Sequence, residues 1–171
     1  TRTPFSIDFG VGDVIVPKQE KRKIPTQLDD FTAPVVSTYS LETTIAEKID
    51  AILSLMEFSS RMKDYYDIYY LANKFDFDGK VLTEALKKTF ENREHIFTIE
   101  QFEQVMSFAD DSAMQKKWKA FCRKIDTQTD DFSTVLRTIK VFLTKPFIAV
   151  LSKTEFSQQW IAAESQWKKG V

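Results

Sequence analysis

Four of the five prolines (Pro4, Pro17, Pro25, Pro34) and two of the four glycines (Gly10, Gly12) fall before residue 40, and after Tyr39 only Gly79, Pro146 and Gly170 interrupt the chain. Inside a helix glycine costs about 1 kcal/mol and proline about 3 kcal/mol relative to alanine. Residues from Ser40 onward therefore read as helices joined by short turns, and the first 39 as strand and loop. Hydrophobic residues make up 43% of the 171, with fifteen Phe. A chain of that size buries about 70% of its unfolded surface, so it needs no crosslinks to hold a core. The expected fold class is α+β, mostly α: a short strand pair or hairpin at the N-terminus followed by a helical bundle.

In the opening stretch Phe5, Ile7 and Phe9 alternate with Ser6 and Asp8, and Gly10 and Gly12 permit a turn before Val14, Ile15 and Val16. Alternation of this kind predicts the strand pair here. The run that follows, with Lys18, Lys21, Arg22 and Lys23, reads as a solvated loop. From Leu41 the period turns helical: Ile45, Ile49, Ile52 and Met56 form one stripe, with Ser40 as N-cap, and the helix runs to about Phe58. A second helix starts near Arg61, with Tyr65, Ile68, Tyr69 and Ala72 on its apolar side. Further helices are predicted near 80–91, 98–108, 111–125, 133–151 with a break at Pro146, and 155–168, opened by caps such as Thr98, Asp111 and Ser133.

Charge excludes some functions. The 24 basic and 25 acidic residues leave a net charge of −1, so no global positive field draws in nucleic acid or an anionic membrane. A single cysteine, Cys122, and a single histidine, His95, exclude a disulfide within the chain and any zinc site of paired His or Cys. The apolar stretch 141–151 is shorter than the roughly 20 residues a membrane span requires. These features point to a reduced, cytoplasmic setting without membrane contact. The chain opens on Thr1 without a signal-peptide pattern and reads as the continuation of something longer.

The informative stretch is 39–71. Lys48 sits at the edge of the Ile45–Ile49 stripe, where a lysine must snorkel or meet a carboxylate. Asp64 and Asp67, three residues apart, point to one spot, and Lys63 with Asp67 makes an i, i+4 pair. Taken alone, such spacing also describes ordinary ion pairing on helix surfaces.

The segments IAEKIDAILSL and RMKDYYDIYYL, with IDFGVGDVIVP upstream, resemble the AEK, KDxYD and strand-acid segments of the AbiEii/AbiGii-toxin nucleotidyltransferases, in the same order over residues 5–71. That resemblance implies a polymerase-β-like enzyme that binds a nucleoside triphosphate with Mg²⁺ and transfers a nucleotidyl group to an acceptor such as a tRNA 3′ end. It also implies a toxin–antitoxin or abortive-infection setting and an antitoxin protein as partner. By matched position Asp8 resembles the strand acid that holds metal, Lys48 the lysine that contacts phosphates, and Asp64 or Asp67 the motif acid of the next helix. Residues 1–75 then make up the rest of the nucleotidyltransferase core, strands plus two motif helices, and 76–171 a C-terminal helical bundle.

The family pattern also has an upstream Gly-Ser turn and Asp-x-Asp strand. No Gly-Ser occurs here, and the one Asp-x-Asp, Asp76-Phe77-Asp78, lies after the KDYYD segment and reads as a turn and helix cap. The metal site is accordingly expected to be incomplete and the chain inactive by itself. The alternative is a non-catalytic helical protein-interaction module in which the same charges form a structural network. Cys122 reads as an inert buried thiol and His95 as a surface or helix-end residue. Phe102, Val105, Met106, Trp118 and Phe121 read as core, and Trp160 with Trp167 as one side of the last helix, open to a partner.

Overall fold

The computed structural model describes residues 4–7, 12–58, 60–125 and 129–169. Among the described residues a two-stranded antiparallel pair, β1 (Glu20–Lys23) and β2 (Val35–Thr38), leads into six α-helices. The strand pair predicted at the N-terminus is present but displaced from the alternating stretch. Phe5 is 83% exposed and Ile7 64%, and neither they nor Val14–Val16 form a strand. Alternation specifies a strand only where one face finds a core, and Phe5 and Ile7 find none. The basic run read as a loop is instead β1, because Val35, Val36 and Thr38 offer it a β-branched partner closed by the Ile24 N–H donating to Pro34 O at 3.0 Å.

Helix α1 (Leu41–Leu55) starts at Ser40, whose side chain accepts from the Thr43 N–H. The Ser40 hydroxyl donates to Val16 O at 2.6 Å, and the Val16 N–H donates to Thr43 Oγ1 at 2.8 Å. The N-terminal segment is thereby strapped across the start of α1. Ile45, Ile49 and Ile52 are fully buried, as the stripe predicts. Helices α2 (Met62–Lys74) and α3 (Gly79–Asn92) both pack on α1. Helix α4 (Ile99–Ser107) opens with a capping box of Thr98 and Gln101, and Asp111 accepts from the Met114 N–H near the start of α5 (Ser112–Ile125).

Helix α6 (Phe132–Ser152) supports α2, α3 and α4. Its N-cap is Asp131, two residues before the predicted Ser133, because the Asp131 carboxylate reaches the Thr134 N–H at 2.8 Å. Pro146 does not break it. The N–H that proline lacks would have served Phe142 O, and the indole N–H of Trp167 donates to that carbonyl instead, at 2.8 Å.

The segment predicted as a helix over 155–168 is a strand pair, β4 (Gln158–Ile161) and β5 (Gln166–Lys169). With the two-residue β3 (Phe77–Asp78) they form a three-stranded antiparallel sheet, Phe77 opposite Trp160 and Trp160 opposite Trp167. Neither tryptophan is open to a partner: Trp160 is fully buried and Trp167 is 8% exposed. Trp160 donates to Ala72 O at 2.7 Å, one of the carbonyls left unpaired at the end of α2. One hydrophobic cluster runs from Ile45 to Trp167. Among the described residues no helix is long and apolar enough to cross a membrane.

Candidate functional site

Helices α1 and α2 meet along their buried stripes, and this brings Lys48 of one against Asp64 and Asp67 of the other. Lys48 Nζ lies 3.1 Å from Asp64 Oδ1 and 2.6 Å from Asp67 Oδ2. The Lys48 side chain is 19% exposed, that of Asp64 5% and that of Asp67 24%. One ammonium thus bridges two carboxylates while staying within reach of solvent. Arg61 adds a second cation, its Nε 2.7 Å from Asp64 Oδ2. That contact lacks the alignment of a hydrogen bond, so it is an ion contact.

A neighbouring network escapes the sequence reading. Arg93, which ends α3, donates from Nη1 to Asp50 Oδ2 at 3.1 Å and from Nη2 to Glu47. His95 Nδ1 lies 2.8 Å from Asp50 Oδ1. Asp50 is fully buried, and burial holds its carboxyl above the usual aspartate range, opposed by the bond with His95. The signal for this network is an acid inside the apolar run Ile49-Asp50-Ala51-Ile52, since a buried carboxylate requires a cation. Nothing local points to Arg93 as that cation, 43 residues away. His95 does sit past a helix end, but on this network.

Lys48, Arg61 and Arg93 line one cleft of about 230 Å³, together with Glu47, Asp64 and Tyr39. Three cations and two carboxylates line its walls, with Asp67 and Asp50 held against Lys48 and Arg93, and the arrangement suits an anion that displaces a carboxylate from Lys48. A divalent metal does not fit the described donors. Each nearby carboxylate pair, Asp64 with Asp67 and Glu47 with Asp50, is already bridged by Lys48 or Arg93. No group of three or more His, Cys, Asp or Glu suited to a metal occurs among the described residues. Asp8, the expected strand acid, lies outside the described residues.

The Asp76-Phe77-Asp78 segment is structural. Asp78 caps α3 by accepting from the Lys80 and Val81 N–H groups at 2.8 and 3.2 Å, and Asp76 accepts from the Ala162 N–H at 2.8 Å. Cys122 is half-buried rather than buried, and desolvation pushes its thiol pKa up, which keeps it protonated and unreactive.

A family model described as "Nucleotidyl transferase AbiEii toxin, Type IV TA system" matches residues 1–138. No curated protein and no solved structure matches the chain.

Proposed function

This chain belongs to the AbiEii nucleotidyl transferase toxin family of type IV toxin–antitoxin systems, and from that premise we propose that the Lys48 cleft receives the phosphates of a nucleoside triphosphate. The observation that carries the reading is Lys48 itself, held between Asp64 and Asp67 at a cleft that Arg61 and Arg93 also line. A lysine bridging two acids is neutralised at rest. It exchanges Asp67, the more exposed of the two, for a phosphate oxygen when the nucleotide arrives.

In the transfer itself an acceptor hydroxyl oxygen bonds to the α-phosphorus, the bond to the bridging oxygen breaks, and pyrophosphate leaves with the electron pair. Negative charge builds on the phosphoryl oxygens, where the Lys48 ammonium and the two guanidinium groups stabilise it. Asp67, released from Lys48, accepts the hydroxyl proton. Magnesium belongs to the chemistry the family implies, and among the described residues the carboxylates at the cleft are taken up by Lys48 and Arg93. An RNA 3′ end is the proposed acceptor, and an antitoxin protein the partner in the cell.

The test is nucleotide binding by calorimetry with the full chain, followed by label transfer from each nucleoside triphosphate to total tRNA. Lys48→Ala should weaken binding about tenfold or more, the equivalent of about 1.4 kcal/mol. Asp67→Asn should tighten binding, because it removes the competitor for Lys48; the chain by itself should bind without transferring, and in a version extended upstream through a Gly-Ser and Asp-x-Asp segment the same substitution should abolish transfer. If neither substitution changes nucleotide binding and both only lower stability, the charges are a structural network of a helical interaction module.

A further inference from the structure

The Asp50 side chain is fully buried, and both of its oxygens are held from the turn that ends α3. Oδ2 accepts from Arg93 Nη1 at 3.1 Å, and Oδ1 lies 2.8 Å from His95 Nδ1. The turn itself is closed by two backbone bonds, the Glu94 N–H donating to Glu91 O at 3.2 Å and the His95 N–H to Phe90 O at 3.0 Å. This pair of bonds forms when the residue after the helix cap takes the left-handed conformation, a place glycine usually fills. Here Glu94 fills it, at φ 55°. A side chain in that conformation is strained, and such strain persists where surrounding contacts fix the backbone. The contacts on either side of Glu94 are those of Arg93 and His95 with Asp50.

Arg93 faces two ways. While Nη1 is on Asp50, Nη2 donates to Glu47, and the side chain stays 35% exposed on the wall of the cleft it shares with Lys48. Glu47 also lines that cleft, with 16% of its side chain exposed, whereas Asp50 stands behind the wall. The two carboxylates on Arg93 therefore differ in kind. A ligand in the cleft can take the place of Glu47, which turns to water when released. It cannot take the place of Asp50, because a buried carboxylate stripped of its cation is strongly unfavourable. Since the donors of a guanidinium lie in one rigid plane, anchoring one arm fixes where the other points.

We propose that Asp50 is a positioning residue for the Lys48 cleft: it anchors the Arg93 guanidinium from behind, so that Nη2 exchanges Glu47 for a phosphate group next to the one Lys48 receives. The identity of the ligand as a nucleotide rests on the reading given above; the anchoring of Arg93 by Asp50 does not. Positioning and plain charge predict opposite signs. A bystander acid near an anion site repels the anion, so removing it tightens binding. Removing an anchor loosens binding, because Arg93 is then left with Glu47 as its carboxylate and gives it up less readily.

The test is calorimetry on the full chain without metal, with inorganic tripolyphosphate and, separately, each nucleoside triphosphate as the titrant. Asp50→Ala should weaken tripolyphosphate binding about tenfold, the loss of one charged hydrogen bond. Arg93→Lys keeps the charge but has a single nitrogen for two partners, and should also weaken it about tenfold. Glu47→Gln should tighten it about two- to fivefold, the range of a partly exposed ion pair. Asp50→Ala added to Arg93→Ala should weaken binding no further than Arg93→Ala alone, since Asp50 acts through Arg93. Circular dichroism checks each fold, and if Asp50→Ala does not fold, Arg93→Lys and Glu47→Gln decide. The proposal is overturned if the unsubstituted chain binds no tripolyphosphate, if folded Asp50→Ala or Arg93→Lys binds it as tightly as the unsubstituted chain or more so, if Glu47→Gln fails to tighten it, or if Asp50→Ala causes a further loss beside Arg93→Ala. Tripolyphosphate binding with the expected changes but no binding of any nucleoside triphosphate would leave this proposal standing and sink the nucleotide reading. Nucleotide binding that Lys48→Ala weakens and Asp50→Ala and Arg93→Lys do not would sink this proposal and leave that reading standing.

Discussion

The indole N–H of Trp167 donates to the carbonyl of Phe142 at 2.8 Å, filling the acceptor that Pro146 leaves without its helical partner. A proline in a helix interior costs about 3 kcal/mol or more, partly through that lost bond. Here the last strand supplies the missing donor, and the Phe142 and Trp167 rings lie nearly parallel, 3° apart with centroids at 5.8 Å. The bond ties the C-terminal sheet to the longest helix.

Trp167→Phe should therefore cost about 2 kcal/mol, the penalty for a buried carbonyl without a donor. That equals roughly 4–8 °C of Tm for a chain of this size. Adding Pro146→Ala to Trp167→Phe should recover part of the loss, since the backbone N–H that alanine restores would donate to Phe142 itself. Thermal unfolding of the four proteins in the cycle checks this, and additive effects would show that the two residues are not coupled.

Asp64 and Asp67 share Lys48 but differ in burial, 5% against 24% of the side chain exposed. Asp64→Ala removes the buried carboxylate that faces Lys48 and Arg61, leaving Lys48 with Asp67, and should cost about 2–3 kcal/mol, whereas Asp67→Ala should cost less than about 1 kcal/mol. Urea midpoints measured side by side decide the order. A larger loss for Asp67→Ala would contradict the geometry.

A Cβ on Gly79 would sit 2.6 Å from both Gln158 O and a Phe156 ring carbon. The first of these is backbone of β4 and cannot swing aside. Gly79→Ala should push the C-terminal sheet off α3 at about 1–3 kcal/mol, despite alanine being the better helix former. Faster hydrogen exchange of β4 and β5 amides relative to α1 would locate the damage.

Tyr69 has its hydroxyl pKa pushed up to about 12 by burial and by its bond to Asp130. An unfolded chain ionises this group near pH ~10, so the folded state holds the proton longer. Its contribution is fully present below about pH 10 and is lost as pH rises toward about 12. Tyr69→Phe should flatten the fall of Tm between about pH 10 and about pH 11.5. The slope that Tyr65 produces, its pKa also raised by burial, should remain. An unchanged pH profile would show that Tyr69 does not contribute.

Local features are legible in the residues alone. The stripe of Ile45, Ile49 and Ile52, the Ser40 and Thr98 caps, and the spacing of Asp64 and Asp67 each depend on residues within two turns. The meeting of Lys48 with both acids follows from two amphipathic helices that have to bury their stripes against each other. Other features depend on packing between distant segments. Trp160 and Trp167, seven apart, fit a helix face equally well until Phe77 and Phe142, both distant in sequence, offer a strand edge and a stacking ring. Arg93 carries no local mark of belonging to the Lys48 cleft; buried Asp50 draws it there, and only the packing of α3 on α1 brings the two within reach. Periodicity reports which side of an element avoids water, not which distant element will cover it.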